Sequence, residues 1–257
     1  MTDLHQRKKW LHRVCEDLRT RGYHYEPTFS EDTSNSKSLI TAAKLLGHLY
    51  VPSDLESTQP FIHTRPSSSA PPWRPFDRAK PIRWHNDFST YTARPELSLS
   101  WILREDPKGP DHGAWWVASS TAVLTKLSET PDGKRLVDEL TTRAQPFGYR
   151  DSGSWRPFRV INAAHRSRYG KLRFYGPALE EGALLRFGEV PDLTKEIVSR
   201  IEEAANAVRV TLPARTGSLL IVHNGLSLHD RSPQTITGPE GLRRQALLCF
   251  VKKLHIM

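Results

Sequence analysis

The sequence predicts a mainly β fold with flanking helices, a sandwich or barrel of the α+β class. Short apolar segments bounded by turn residues recur from Ile82 to Val251, the pattern of antiparallel sheets. The helical patterns between them are too few for the strand and helix alternation of a parallel sheet. A length of 257 residues suits one sizeable core. A single domain over 1–257 is expected, with an N-terminal helical segment (about 1–47) and a lid-like loop (about 52–81).

Taken in order, Leu4 to Arg21 carries apolar residues at 4, 11, 14, 15 and 18, which is close to helical spacing, and Gly22 marks a stop. A second helix is expected from the Ser34/Ser36 cap region to Gly47, with Leu39, Ile40, Ala43 and Leu46 on one face, leading into a strand at His48 to Val51. Pro52 to Pro81 holds seven prolines and the run Ser67-Ser68-Ser69, and reads as a covering loop. Strands follow at Ile82 to Asp87, Leu97 to Arg104, Trp115 to Ala118, Gln145 to Tyr149, Lys171 to Tyr175, Ala183 to Phe187, Val208 to Leu212, Ser218 to His223 and Leu242 to Val251. Three helices interrupt them: Ser119 or Ser120 to Leu127, Thr130-Pro131 to about Arg143, and Asp192 to about Ala207.

The chain carries 37 basic and 28 acidic residues, a net charge of +9 and a pI near 9.7. The excess sits in Met1 to Tyr25 and in Arg150 to Arg173, and the remainder is balanced. The second stretch also holds Trp155, Phe158 and Tyr169, so a nucleic-acid-binding protein using residues 150–175 is one alternative. The balanced remainder argues against a binding stripe, and nucleic acid is not an expected partner. No apolar run approaches the roughly 20 residues of a membrane-spanning helix. The residues after Met1 lack the apolar core of an export signal, which predicts a cytoplasmic protein. Cys15 and Cys249 alone exclude a disulfide framework or a paired-cysteine zinc site, so any metal must be held by histidine and carboxylate.

His85-Asn86-Asp87 closes a predicted strand, where side chains two apart share a face and give two-thirds of a facial triad for iron(II). His24-Tyr25-Glu26 has the same spacing, and spacing does not choose between them. A third ligand should come from a distant strand. Ser218 to His223, a turn, and His229 where the chain re-emerges meet that need. Further on, Arg243-Arg244 opens an apolar strand, and a guanidinium at a barrel mouth suits a bidentate grip on a carboxylate. Alternation places Arg244 with Ala246, Leu248 and Phe250, and Arg243 with Gln245, Leu247 and Cys249; both stay open, with Arg244 preferred from its spacing to His229.

From about Leu39 onward the sequence resembles the taurine dioxygenase and clavaminate synthase-like family of iron(II)- and 2-oxoglutarate-dependent oxygenases. Four collinear segments carry the resemblance: Ala42 to Leu49, Trp84 to Ser89, His165 through Gly170-Lys171 to Tyr175, and Gly217 to Asn224 with His229. It implies a double-stranded β-helix (jelly-roll, cupin-like) core, His85, Asp87 and His229 as iron ligands, and Arg244 (alternatively Arg243) on the distal carboxylate of 2-oxoglutarate. Three protein ligands on one octahedral face leave positions for 2-oxoglutarate and O2. The implied reaction releases succinate and CO2 and hydroxylates a small polar metabolite such as an amino acid or natural-product intermediate. Asp87 argues against a halogenase, whereas desaturation, cyclisation and epimerisation stay open. Trp115 stands where many relatives have a threonine that touches the cosubstrate, and His223 where some have aspartate. Arg156, Arg159, Asn162 and Tyr91 are the candidate substrate contacts. An oxygen-independent metal hydrolase on the same ligands is the remaining rival.

Overall fold

The computed structural model describes residues 4–51, 59–70, 74–149, 153–162 and 172–254. The chain opens with α1 (Leu4–Arg21), β1 (Tyr23–Glu26), α2 (Lys37–Leu46), β2 (Gly47–Tyr50) and β3 (Phe61–Thr64). It continues through β4 (Leu97–Arg104), β5 (Trp115–Ser119), α3 (Ser120–Leu127), α4 (Pro131–Thr142), β6 (Ala144–Tyr149) and β7 (Ser154–Arg159). The last third holds α5 (Gly176–Phe187), α6 (Asp192–Ala207), β8 (Val210–Leu212), β9 (Leu219–His223), β10 (Ser227–Arg231) and β11 (Gln245–Leu254).

The larger sheet runs β1-β9-β4-β11-β2, with β3 also paired to β11, and every pairing is antiparallel. A smaller sheet runs β10-β5-β8, and β6 with β7 forms a hairpin. Alternation along β4, β9 and β11 divides their side chains between two layers. On the outer face Leu97, Leu99, Trp101, Leu219, Ile221, Leu247 and Cys249 bury against Trp10, Val14 and Leu18 of α1 and Leu39, Ala43 and Leu46 of α2. On the inner face Ile102, Leu220, Val222 and Ala246 meet Trp115 and Val117 of the smaller sheet. A third apolar cluster joins Ala118 and Leu228 of the smaller sheet to α3, α4, α5 and α6. The result is the predicted mainly β core, two facing sheets with helices on the outside.

Several elements differ from expectation. The proline-rich stretch contains β3, and a 3-10 turn at Pro75–Asp77, so part of it belongs to the larger sheet. Ala183 to Phe187 lies in α5, not in a strand. Gly176-Pro177 starts that helix, with proline in its first turn, and Gly188 ends it at φ +80°. Ile82 to Asp87 is not a strand, because Arg83 takes a left-handed φ of +83°; His85 joins the sheets by isolated bridges to Tyr175 and His229. Of Lys171 to Tyr175, the described residues make only bridges. The strands β1, β7 and β10 were not anticipated.

Candidate active site

His85, Asp87 and His229 converge between the sheets, with one potential ligand atom each and all three within 4.8 Å of one another. Backbone pairing sets this up: His85 N–H donates to His229 O (3.1 Å) and His229 N–H to His85 O (3.0 Å), so residues far apart in sequence lie side by side. Two asparagines hold the short segment in place. Asn86 Nδ2 donates to Ser227 O (2.8 Å) while its Oδ1 accepts from Phe174 N (2.8 Å). Asn224 Nδ2 donates to the carbonyl of Asp87 (2.8 Å).

The donor atoms fit a metal ion. Asp87 Oδ1 is 3.6 Å from His85 Nε2, and Asp87 Oδ2 is 3.3 Å from His229 Nε2. Ligand atoms about 2.1 Å from a metal and at right angles stand about 3 Å apart, so small inward shifts complete one octahedral face. His85 Nδ1 donates to Arg83 O (2.9 Å), which leaves the Nε2 lone pair for a cation. Burial alone would raise the pKa of Asp87, but the two imidazoles outweigh it and hold the carboxyl well below its ordinary range. Burial lowers the pKa of His229, and the neighbouring His85 adds to this. Two imidazoles and an anionic carboxylate make the donor set of a non-haem iron(II) site.

These residues open on a cavity of about 370 Å³, within the usual range for small-molecule sites. Arg244, immediately before β11, lines this cavity, 4% exposed, with no hydrogen bond or ion pair among the described residues. Burial, then the charge of Arg231, pushes its pKa down to about 9. A buried cation without a partner calls for an anion. Arg243 points away from the cavity, donating to Pro66 O and Gly238 O. Gly113, at φ +71°, gives Arg244 its path, since a Cβ there would stand 2.8 Å from Arg244 Cδ.

Other predicted residues distribute as follows. Tyr91 and Trp115 line the cavity. Arg156, Arg159 and Asn162 are exposed and do not line it. Thr64 and Ser100 present hydroxyl-bearing side chains to the same cavity. His24 is on the outer layer against Trp10, its Nδ1 2.7 Å from Asp17, so the second His-x-acid pair is away from the centre. His223 is buried beside Arg94, and burial pushes its pKa down to about 4. Within the basic stretch, residues 150–152 and 163–171 lie outside the described residues. Sequence reasoning missed Arg83, Asn86, Asn224, Tyr175 and Glu181, the last two being cavity residues at α5. Only the Gly176-Pro177 helix start could have pointed to that wall.

Two facing antiparallel sheets around such a centre define the class of iron(II)- and 2-oxoglutarate-dependent dioxygenases. The family model described as taurine catabolism dioxygenase TauD, TfdA family, matches residues 29–248, and the chain belongs to that family. Among solved structures the chain is similar to an asparagine oxygenase bound to Fe(II), 2S,3S-3-hydroxyasparagine and succinate, at 19% identity and a TM-score of 0.72, covering 95% of this chain and 79% of that one. It is also similar to the non-heme iron oxygenase OrfP bound to Fe and alpha-ketoglutaric acid (15% identity, TM-score 0.69, 96% and 80% covered). A third is the PvcB protein from Pseudomonas aeruginosa (14%, 0.66, 95% and 79%). No curated protein matches the chain.

Proposed function

We propose that His85, Asp87 and His229 hold iron(II), that Arg244 binds the distal carboxylate of 2-oxoglutarate, and that the enzyme hydroxylates a small polar metabolite, with a free amino acid as the first substrate class. The observation that carries this reading is the buried, unpartnered Arg244 in the same cavity as the three ligand side chains. The asparagine oxygenase and OrfP, whose structures hold hydroxylated amino acids, support the substrate class.

When bound, iron(II) with 2-oxoglutarate and O2 supplies oxidative decarboxylation to succinate and CO2 coupled to oxidation of a C–H bond. The chain's own residues bind and orient. Asp87, anionic through the neutral range, offsets the metal charge, and both imidazoles offer Nε2. Arg244 orients 2-oxoglutarate by its far carboxylate. Thr64, Ser98 and Ser100 line the cavity; Thr64 Oγ1 donates to Ala246 O, whereas Ser98 Oγ is buried without a hydrogen-bond partner among the described residues, so Ser98 and Ser100 are the hydroxyls available in place of the family threonine at Trp115. Ile62, Phe76, Tyr91, Tyr175 and Glu181 also line the cavity, where they shield the substrate from water and meet it. Arg231 ties part of that lining to β10 by donating to the carbonyls of Pro75, Arg78, Ala79 and Ser232.

The test is succinate release from 2-oxoglutarate under air against a panel of free amino acids. One or more should stimulate release, and Asp87→Ala should abolish it. Turnover that persists without oxygen and 2-oxoglutarate would assign the centre to hydrolysis instead.

A further inference from the structure

Among the described residues only Arg83 and Phe88 have positive φ without being glycine, and they bracket His85-Asn86-Asp87. A left-handed backbone is strained for a residue with a Cβ, and such strain persists only where surrounding structure imposes it. For Arg83 the imposing structure is visible. Its Nε donates to Glu202 Oε1 on α6 (2.9 Å), and its Nη1 donates to Glu180 Oε2 on α5 (3.2 Å). Gly176 makes room for this clamp, since a Cβ there would stand 3.0 Å from Arg83 Nη2 and 3.2 Å from Glu202 Oε1. The guanidinium and Glu180 are both 37% exposed, and ion pairs at such exposure contribute little to stability. The main chain of the same residue does something else: its carbonyl accepts from His85 Nδ1 at 2.9 Å.

We infer that Arg83 is a positioning residue for His85. The two-helix clamp keeps residue 83 left-handed, which directs its carbonyl onto Nδ1 and so fixes the ring with Nε2 facing the shared centre. Released from the clamp, residue 83 relaxes to an ordinary φ and its carbonyl rotates away from Nδ1. The ring then loses the outer partner that holds its orientation, and part of the metal's binding free energy goes into restoring it. The clamp also joins the ligand to the helix whose first turns carry Tyr175 and Glu181. This inference rests on the proposed ligand role of His85.

Two variants separate the clamp from the fold. Arg83→Ala removes the guanidinium directly, while Glu180→Gln with Glu202→Gln weakens the clamp without touching residues 82–88. Metal-free protein is titrated with Mn²⁺ alone, and solvent exchange of the His85 Nδ1–H proton is read by 15N NMR in the Zn²⁺-loaded protein. In each variant the Mn²⁺ dissociation constant should rise about tenfold, the usual effect of losing an outer partner of a ligating histidine. The Nδ1–H proton, no longer held by the carbonyl of residue 83, should exchange faster than in the parent, with the urea midpoint near that of the parent. An unchanged dissociation constant and an unchanged exchange rate in the double glutamine variant would overturn the inference. Should Arg83→Ala fail to fold, that double variant decides alone. If the parent does not bind Mn²⁺, or Asp87→Ala binds it equally well, the ligand assignment itself falls, an outcome distinct from failure of the clamp.

Discussion

Arg244 is costly without an anion, and this sets what its removal should do. Truncating one side of a buried charged contact costs about 2–5 kcal/mol. Arg244→Ala should therefore raise KM for 2-oxoglutarate by about 30-fold or more, as read from succinate release across cosubstrate concentrations. A KM within threefold of the parent would remove Arg244 from the site. His223 gives a second residue-scale prediction. Its folded pKa of about 4 lies below the ordinary 6.5, so between those values the unfolded chain binds a proton that the folded chain does not. Stability contributed by neutral His223 is therefore complete above pH 6.5 and is lost as pH falls toward 4, by up to about 3 kcal/mol. Urea midpoints from pH 7 to pH 5 should decline in the parent and decline less in His223→Gln. Much of this scale was legible. The grouping of His85, Asp87 and His229 was legible from the collinear family resemblance, and the preference for Arg244 from its spacing to His229, since alternation left both arginines open. Asn86 and Asn224 were not legible, because their partners are carbonyls of Ser227, Asp87 and Pro95 that only the fold brings near.

At the scale of elements, α1, α4 and α6 announce themselves by periodicity and caps; Thr130, whose Oγ1 accepts from Gly133 N at 3.1 Å, starts α4. The helix α5 was hidden because its apolar residues do not keep to one face. Ala178, Leu179 and Ala183 are buried, whereas Leu184, Leu185 and Phe187 are exposed, so Ala183 to Phe187 reads as a short apolar strand. What fixes α5 is a glycine contact with β6. A Cβ on Gly182 would stand 2.5 Å from Gly148 N and Pro146 O, backbone atoms that cannot swing aside. Overpacking of this kind costs about 1–3 kcal/mol. Gly182→Ala should lower the urea-derived stability by that amount, and because Tyr175 caps the helix and Glu181 rides on it, it should also raise KM for the substrate more than KM for 2-oxoglutarate. Equal effects on both would mean that α5 does not shape the substrate wall.

For the whole molecule, the proposed metal ligands come from distant parts of the chain that the fold sets side by side: residues 85 and 87 precede β4, and residue 229 lies in β10. A metal bound there reaches only the folded chain with full strength, so it should stabilise it by mass action, about 2.7 kcal/mol at one hundred times its dissociation constant. For a chain of this length that corresponds to a rise in Tm of roughly 5 °C or more on adding Fe²⁺ or Mn²⁺, abolished by chelator and by Asp87→Ala. Net charge gave less. Arg156 and Arg159 are exposed on β7 and do not line the cavity, and the count of basic residues alone carries no pattern that separates them from a ligand-binding arginine such as the one proposed at 244.

The place of β11 has a consequence for how the chain comes off the ribosome. It pairs with β4 along one edge and with β3 and then β2 along the other, yet it is translated after all of them. Likewise β1 at residues 23–26 must wait for β9 at residues 219–223. Loop closure across such separations is slow, and partly made chains expose strand edges that invite aggregation. Until β11 emerges, β2 and β3 have no sheet to join, and the apolar faces of α1 and α2 lack their floor. Nascent chains stalled before residue 245 should therefore be held by chaperones and cut by protease throughout their first half, and become resistant in one step once β11 is free.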